Sequence, residues 1–314
     1  MGPIFIGGCD RSGTTMLRLM LIQSPDLHIP GETTFLPIMK DRAEEYGDFS
    51  TPWERWFFIR DLMTFPATTR NNSFEVFELT PEEAEQVIAA VSPTDYPGAS
   101  GAVFAAAARR KGKSRWGDKS PANVMYLDYL AHAFPAAQFV HIIRDARDAC
   151  ASIRRAGWMH NFRTAAATWK LRVETGRRLG AQLGDRRYRE IRYEALVRDP
   201  ERELRALCEW LELDFTPAMT EFHKGSMDNL PQQVQHLFTL AKKPADTSRV
   251  EAWKTGMRRK DIADVEFVAG ELMKKLGYPL TGARIAPWTR LVRTFFDWLR
   301  PIAIKGSNFS KRQG

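Results

Sequence analysis

A loop that carries two glycines, close to the N-terminus, constrains the fold of this chain more than any other feature. Residues 4–8 (IFIGG) have the apolar composition of a short strand, and the run stops at glycines. Residues 14–22 carry apolar side chains at near-helical density. The order strand, glycine loop, helix predicts an α/β protein.

Two further segments repeat the alternation of strand and helix. Residues 138–143 (QFVHII) form a continuous β-branched run, typical of a strand buried on both faces, and a helix is expected from Ala146 onward. Residues 188–193 (YREIRY) predict a third strand, and Asp199 and Pro200 supply the cap and the first position of the next helix. This alternation implies a parallel sheet with helices on both faces.

The segment over residues 40–112 interrupts this pattern. It is irregular and rich in proline, tryptophan and phenylalanine, with helix expected after Thr80 and Pro81, which supply a cap and an N1 proline. We interpret it as a mainly helical insertion that covers the edge of the sheet. Residues 258–276 then predict an amphipathic helix that stops at Gly277.

The charge of the chain is concentrated at its C-terminus. Residues 281–314 contain seven cations and one acid and carry most of the formal net charge of +8. Within this tail, residues 287–302 have the pattern of a basic amphipathic helix, which can contact an anionic membrane or dock on its own protein. Residues 1–280, expected to form one domain, are nearly neutral, so a chain-wide nucleic-acid surface is not expected.

Composition indicates a folded enzyme-sized domain. Of 314 residues, 44% are hydrophobic and 27% are charged, which excludes disordered and low-complexity chains. No apolar stretch reaches the roughly 18 residues that span a bilayer, and we recognise no export signal. The three cysteines lack the spacing of a zinc site or a disulfide framework, so a cytoplasmic location is expected.

The glycine loop itself has the pattern of a phosphate-binding loop. Residues 8–15 (GCDRSGTT) match G-x-x-x-x-G-K-[ST] except that Thr14 replaces the lysine. Backbone N–H groups of such a loop and the helix N-terminus after it bind anions, and Arg11 supplies a cation from inside the loop. The alternative is a glycine-bearing turn with an incidental arginine.

A second candidate anion site follows residues 138–143. Arg144 and Ser152 flank the start of the next helix, where Asp145 can act as its cap. Spacing by fours through residue 148 would place Arg144 and Ser152 on one side, and a guanidinium plus a hydroxyl suits a phosphate monoester. The alternative is a surface helix start in which Arg144 pairs with Asp148.

Taken together, these two sites resemble the sulfotransferases that use 3′-phosphoadenosine 5′-phosphosulfate (PAPS). Further segments in the family's order are WGDKSP at residues 116–121, Tyr193-Glu194 with Asp199-Pro200, and the stretch from Ser248 to Tyr278. The resemblance is strongest to the branch of bacterial and tyrosylprotein sulfotransferases, which carries Arg-Ser-Gly-Thr-Thr in the loop. Asp10 departs from the proline usual before that arginine.

The resemblance implies a fold and a set of site residues. The fold is a three-layer sandwich like that of the P-loop NTPases, with a central parallel sheet flanked by helices. Catalytic roles are implied for Arg11, for Lys119, expected in a loop, and for Glu32 as the base. The implied donor-binding residues are Arg11, Ser12, Gly13, Thr14, Thr15, Arg144, Ser152, Tyr193, Ser248 and Arg249, with Trp169 as a further candidate near the adenine.

The implied reaction is in-line transfer of the sulfuryl group from PAPS to an acceptor hydroxyl, with adenosine 3′,5′-bisphosphate (PAP) as product and no metal required. Phenol, sugar, lipid alcohol and peptide tyrosine all fit a glutamate base, and a hydrophobic acceptor suits the aromatic insertion. A nucleotide kinase or triphosphatase and a non-catalytic nucleotide binder are the alternatives. The sequence leaves the oligomeric state open.

Overall fold

Five parallel strands form the central sheet of the computed structural model, which describes residues 1–65, 74–224, 245 and 247–283. The strand order across the sheet is β2-β3-β1-β4-β5. The strands are β1 Ile4–Gly8, β2 Leu27–His28, β3 Arg115–Lys119, β4 Gln138–Ile143 and β5 Tyr188–Arg192.

Strand β1 lies at the centre of the sheet and fixes the position of the site. Its Ile4 pairs with Gly117 of β3 on one side and with Gln138 of β4 on the other. Strands β2 and β3, which follow β1 in sequence, lie on one side of it, and β4 and β5 lie on the other side. The direction in which strands are added therefore reverses at β1. In open parallel sheets, ligands bind at the carboxyl ends of the strands next to such a reversal. The loops after β3, β1 and β4 therefore meet at one place.

Helices pack on both faces of this sheet, which gives the three-layer α/β sandwich that the sequence predicts. The α-helices of the described residues are α1 Thr14–Leu21, α2 Phe35–Ile38, α3 Pro52–Thr64, α4 Pro81–Val91, α5 Tyr96–Arg110, α6 Leu127–Ala133, α7 Ala146–Arg155, α8 Phe162–Gly180, α9 Tyr193–Arg198, α10 Pro200–Leu211, α11 Trp253–Gly256 and α12 Arg259–Lys275. The predicted start at Ala146 and the predicted helix ending before Gly277 are confirmed.

Alternate residues of β1 supply the two faces of the sheet to different cores. Phe5 packs on one face against Phe139 of β4, with ring centroids 5.3 Å apart. Ile4 and Ile6 face the other side, where they pack with apolar residues of α1, α9 and α10. A third cluster joins α7, α8 and α12 around the buried Trp169. Burial on both faces explains the unbroken apolar strands.

The described residues of the insertion, 40–65 and 74–112, are mainly helical, as predicted, but they cover more than the edge of the sheet. Its helix α5 packs against the edge strand β2 and against β3. Its aromatic side chains, among them Phe58, Phe77 and Phe104, share one core with Phe5 and Phe139 of the central strands. The insertion therefore covers part of one face of the sheet near β1 as well as its edge.

Three details of the strands differ from the sequence prediction. The two-residue strand β2 was not predicted, and neither was β3, so Lys119 is the last residue of a strand and not part of a loop. Strand β3 (RWGDK) escapes a hydrophobicity pattern because its charged Arg115, Asp118 and Lys119 are buried. Strand β5 ends one residue before Tyr193, which begins α9.

The predictions about the C-terminal tail, membrane spans and cysteines have different outcomes. The helix proposed over residues 287–302 lies outside the described residues, as does the tail from residue 284. In the part of the chain that is described, no helix has the length and apolarity needed to cross a bilayer. Cys9, Cys150 and Cys208 are buried free thiols.

Candidate active site

The glycine loop over residues 9–13 joins β1 to α1 in a tight conformation. Arg11 and Gly13 both adopt positive φ, 64° and 100°. A side chain at position 13 would be strained there, and its Cβ would lie 2.7 Å from Cδ2 of Tyr193, so the loop needs glycine at this position. No side chain in the described part of the chain caps α1, which leaves its first N–H groups available to an anion.

The polar residues of this loop are mostly buried. Ser12 is fully buried, and its Oγ has no hydrogen-bond partner among the described residues. Thr14 and Thr15 are buried at the first turn of α1. Asp10, which stands where the family has proline, forms an ion pair of 2.7 Å with Arg172 of α8. This pair anchors the loop entry to the neighbouring helix.

Arg11 connects the glycine loop to the turn after β4. Its Nε donates to Oγ of Ser152 at 3.2 Å, and its own carbonyl accepts from Nη1 of Arg144 at 2.9 Å. Burial lowers the pKa of Arg11, and the positive charges of Arg144 and Arg155 lower it further. Guanidinium groups gathered in this way favour binding of an anion between them. Arg155 was not predicted from the sequence.

Arg144 lies in the turn between β4 and α7, outside the helix, because Asp145 is the N-cap. The predicted spacing by fours along one helix face is therefore wrong for Arg144, although Ser152 does come close through Arg11. Arg144 donates to the carbonyl of Arg249 at 2.7 Å and lies over the Tyr193 ring at 4.2 Å. Its hydrogen bonds go to backbone carbonyls, which does not support the alternative pairing with Asp148.

The segment around Arg249 is held against α7 by a buried carboxylate. Asp148 Oδ1 accepts from the backbone N–H of Trp253 at 2.8 Å. Burial raises the pKa of Asp148 to about 6, while the nearby Arg144 opposes this shift. Arg249 contributes its carbonyl to Arg144, whereas Ser248 is exposed on the 3-10 turn over Thr247–Arg249.

Tyr193 and its neighbour Glu194 support the glycine loop and the turn that carries Arg144. Tyr193 is buried between Gly13 and Arg144. Glu194 accepts from the backbone N–H of Asp145 at 2.8 Å and from the Tyr278 hydroxyl at 3.1 Å, so it fixes the turn that carries Arg144.

Trp169, the further candidate near the adenine, is a fully buried residue of the core. Its indole N–H donates to the carbonyl of Arg144 at 2.9 Å. This hydrogen bond is a second support for the turn after β4. The ring of Trp169 is enclosed among apolar side chains of α7, α8 and α12, as is usual for a core tryptophan.

On the other side of the glycine loop, Lys119 Nζ forms an ion pair with Oε2 of Glu32. Lys119 is 2% exposed at the carboxyl end of β3, whereas the side chain of Glu32 is 19% exposed. The two candidate catalytic residues, 87 positions apart in sequence, are thus in direct contact. The end of β3 holds them beside the loop that follows β1.

Asp118 holds the Glu32 segment in place. One of its carboxylate oxygens accepts from the hydroxyl of Thr33 at 2.6 Å, and the other accepts from the Asn123 amide at 2.7 Å. Burial raises the pKa of Asp118 to about 6, against the effect of these two hydrogen bonds and of the Lys119 charge. Asp118 is therefore a supporting residue for Glu32 that sequence reasoning missed.

The carboxyl ends of three adjacent strands thus bring together the glycine loop, the turn that carries Arg144, and the ion pair of Lys119 with Glu32. A family model described as "Sulfotransferase family" matches residues 3–217, more than half of the chain. The chain belongs to this family and is a sulfotransferase, which transfers a sulfuryl group. Membership favours sulfuryl transfer over the kinase and nucleotide-binder alternatives.

Individual relatives agree with this assignment. The chain is 23% identical to protein-tyrosine sulfotransferase A of Caenorhabditis elegans, over 88% of this chain and 67% of that protein. It is 24% identical to protein-tyrosine sulfotransferase 1 of Homo sapiens, over 88% of this chain and 70% of that protein.

Solved structures share the fold. The sulfotransferase domain of the Synechococcus PCC 7002 olefin synthase superposes with a TM-score of 0.63 at 25% identity, covering 88% of this chain and 95% of that domain. The sulfotransferase domain from the curacin biosynthetic pathway gives a TM-score of 0.62 at 22% identity, covering 89% and 98%.

Proposed function

We propose that this sulfotransferase uses PAPS as donor and a hydroxyl group as acceptor, with Glu32 as the base. The supporting observation is the ion pair between Glu32 and Lys119 at the end of β3, beside the glycine loop. A carboxylate and an ammonium group in contact at an anion-binding loop supply both charges that sulfuryl transfer requires.

The residues present fit a nucleotide with phosphate groups at both ends. Buried polar atoms without a hydrogen-bond partner in the described ranges include Oγ of Ser12 and Nε of both Arg144 and Arg249. Buried donors are rarely left unpaired, so these atoms favour an anionic ligand. Ser12 and the start of α1 would hold the 5′-phosphosulfate, and Arg144 with Ser152 would hold the 3′-phosphate.

When bound, the donor supplies the sulfuryl group and the bisphosphate that leaves. Glu32 accepts the proton of the acceptor hydroxyl while the oxygen of that hydroxyl forms a bond to sulfur. Lys119 and Arg11 neutralise the charge that develops on the phosphate oxygen as the bond from sulfur to that oxygen breaks. Cations placed in this way act as they do in phosphoryl transfer, because both reactions move charge onto a leaving oxygen.

The acceptor we favour is a phenolic hydroxyl, with peptide tyrosine as the first candidate. Glu32 is a carboxylate and therefore a weak base. A phenol is a stronger acid than an alkyl alcohol, so a phenol gives up its proton to such a base more easily. The relatives named above are protein-tyrosine sulfotransferases. Next to Glu32, Gly31 lies against the side chain of Val76, which gives the acceptor an apolar contact surface at the insertion.

The test is transfer of radiolabelled sulfuryl from PAPS to a tyrosine peptide and to an alkyl alcohol of similar size, in buffer with EDTA. We expect transfer to the peptide and a loss of at least about 100-fold in Glu32→Gln. The matched control is Glu271→Gln, an exposed glutamate that pairs with Lys274 at 3.0 Å on α12. Transfer that persists in Glu32→Gln would contradict the role of this residue.

A further inference from the structure

Arg18 is a buried arginine to which the mechanism above gives no role. It lies on α1, four residues after Thr14, and is 1% exposed. Arginine is almost never fully buried unless a partner compensates for the loss of water. Arg18 lies one turn beyond the glycine loop, so the groups that compensate its buried charge lie close to the candidate donor site.

The hydrogen bonds of Arg18 connect α1 to the segment that carries Glu32. Its Nε donates to the carbonyl of Ile29 at 2.8 Å, and Ile29 precedes Glu32 by three residues. Its two terminal nitrogens have no hydrogen-bond partner in the described structure. A single contact thus fixes residue 29 to the helix that begins at the glycine loop.

Two carboxylates of the site, those of Glu32 and Asp118, lie near Arg18. Burial lowers the pKa of Arg18 to about 10, and the negative charges of Glu32 and Asp118 oppose this shift. Arg18 therefore stays charged at neutral pH. His28 of β2 also lies nearby, and burial together with the charge of Arg18 lowers its pKa to about 4, so it is neutral.

The charged groups around Glu32 consequently balance. Arg18 from α1 and Lys119 from β3 are positive, while Asp118 from β3 and Glu32 itself are negative. The proposed reaction also assigns Lys119 to the donor oxygen. Arg18 is buried and hydrogen-bonded to Ile29, so its positive charge stays beside the Glu32 segment throughout.

We propose that Arg18 is a positioning residue: it holds the Glu32 segment on α1 through Ile29 and keeps a fixed positive charge beside that segment while Lys119 acts on the donor. The proposal rests on the proposed function, because it concerns the same base. Arg18 acts through Glu32 and not by contact with a substrate. Its loss should therefore change the pH dependence of transfer and leave nucleotide affinity almost unchanged.

The experiment measures kcat/KM for sulfuryl transfer from about pH 3.5 to about pH 8, a range that includes the acid limb of a carboxylate base, in wild type, Arg18→Met, Arg18→Gln and Arg18→Lys. In the two neutral variants, the midpoint of the acid limb should rise by about one pH unit. At pH values below this midpoint, kcat/KM should therefore be about tenfold lower than in wild type. Arg18→Lys should restore the wild-type limb. PAP affinity by calorimetry should change less than about threefold in all of them. Arg18→Gln keeps a donor for Ile29 if the methionine variant does not fold.

The matched control is Arg115→Met. Arg115 is a second buried arginine, 5% exposed, but it lies at the opposite end of β3, where it donates to Gln138 at 2.6 Å. The Arg115→Met variant should be less stable than wild type, but its acid limb should not shift. A wild-type limb in the neutral Arg18 variants would overturn the proposal for Arg18 alone. Full activity in Glu32→Gln would instead overturn the proposed function and the role of Arg18 with it.

Discussion

Lys119 at the end of β3 and Glu32 after β2 are joined by a direct ion pair, although one is almost completely buried and the other is partly exposed. The pair places a cation and a base side by side at the carboxyl edge of the sheet. Since β3 neighbours β1, the same edge carries the glycine loop. The order of strands, more than any single motif, therefore assembles the site.

Lys119→Ala should reduce sulfuryl transfer by about 100- to 1,000-fold, because the charge on the leaving oxygen loses a stabilising cation. PAP binding should weaken by less than about tenfold, since Ser12, Arg144 and the start of α1 remain. Steady-state kinetics and calorimetry measure the two effects. Lys274→Ala, an exposed lysine on α12, is the control and should keep full activity. Full turnover in Lys119→Ala would exclude a catalytic role for Lys119.

Gly13→Ala should weaken PAP binding by about tenfold or more and lower stability by about 1–3 kcal/mol. The new methyl group would be strained at a φ of 100° and would collide with Tyr193. Gly184→Ala separates these effects, because Gly184 has a φ of 71° with no atom within 4 Å of an added Cβ. It should cost stability and leave PAP affinity unchanged. Equal PAP affinity in Gly13→Ala and wild type would contradict this account of the loop.

Asp118→Asn should change how stability depends on pH. Burial raises the pKa of Asp118 from 3.8 to about 6, so between these values the folded protein binds more protons than the unfolded chain. This residue therefore contributes stability at low pH that is lost as the pH rises from about 4 to about 6. Urea unfolding at pH 4.5 and pH 7 should show wild type losing about 1–3 kcal/mol relative to Asp118→Asn. Parallel curves for the two proteins would show that Asp118 is not perturbed.

Sequence patterns were sufficient for the parts of the fold that depend on apolar burial. Strands β1 and β4 were found because both faces of each are covered, which leaves an unbroken apolar run. Strand β3 was missed for the opposite reason, since its buried Arg115, Asp118 and Lys119 look like surface residues in a hydrophobicity pattern.

Side chains that act through the backbone were also beyond sequence reasoning. The contribution of Arg249 to Arg144 is a carbonyl, which every residue has. Arg18 looks like the polar position of an amphipathic helix until its burial is known. Asp148 was considered only as an ion-pair partner, whereas it holds the backbone of Trp253. Such roles follow from tertiary packing and leave no local pattern.

In the proposed function, the turns at Arg11 and Arg144 hold opposite ends of one doubly phosphorylated adenosine. The most direct measurement is the ratio of affinities for PAP and adenosine 5′-phosphate, by calorimetry in wild type and Arg144→Gln. We expect wild type to prefer PAP by about 100-fold or more, and the variant to lose at least about 30-fold of this preference. An unchanged ratio in Arg144→Gln, or equal affinity of wild type for both nucleotides, would contradict it.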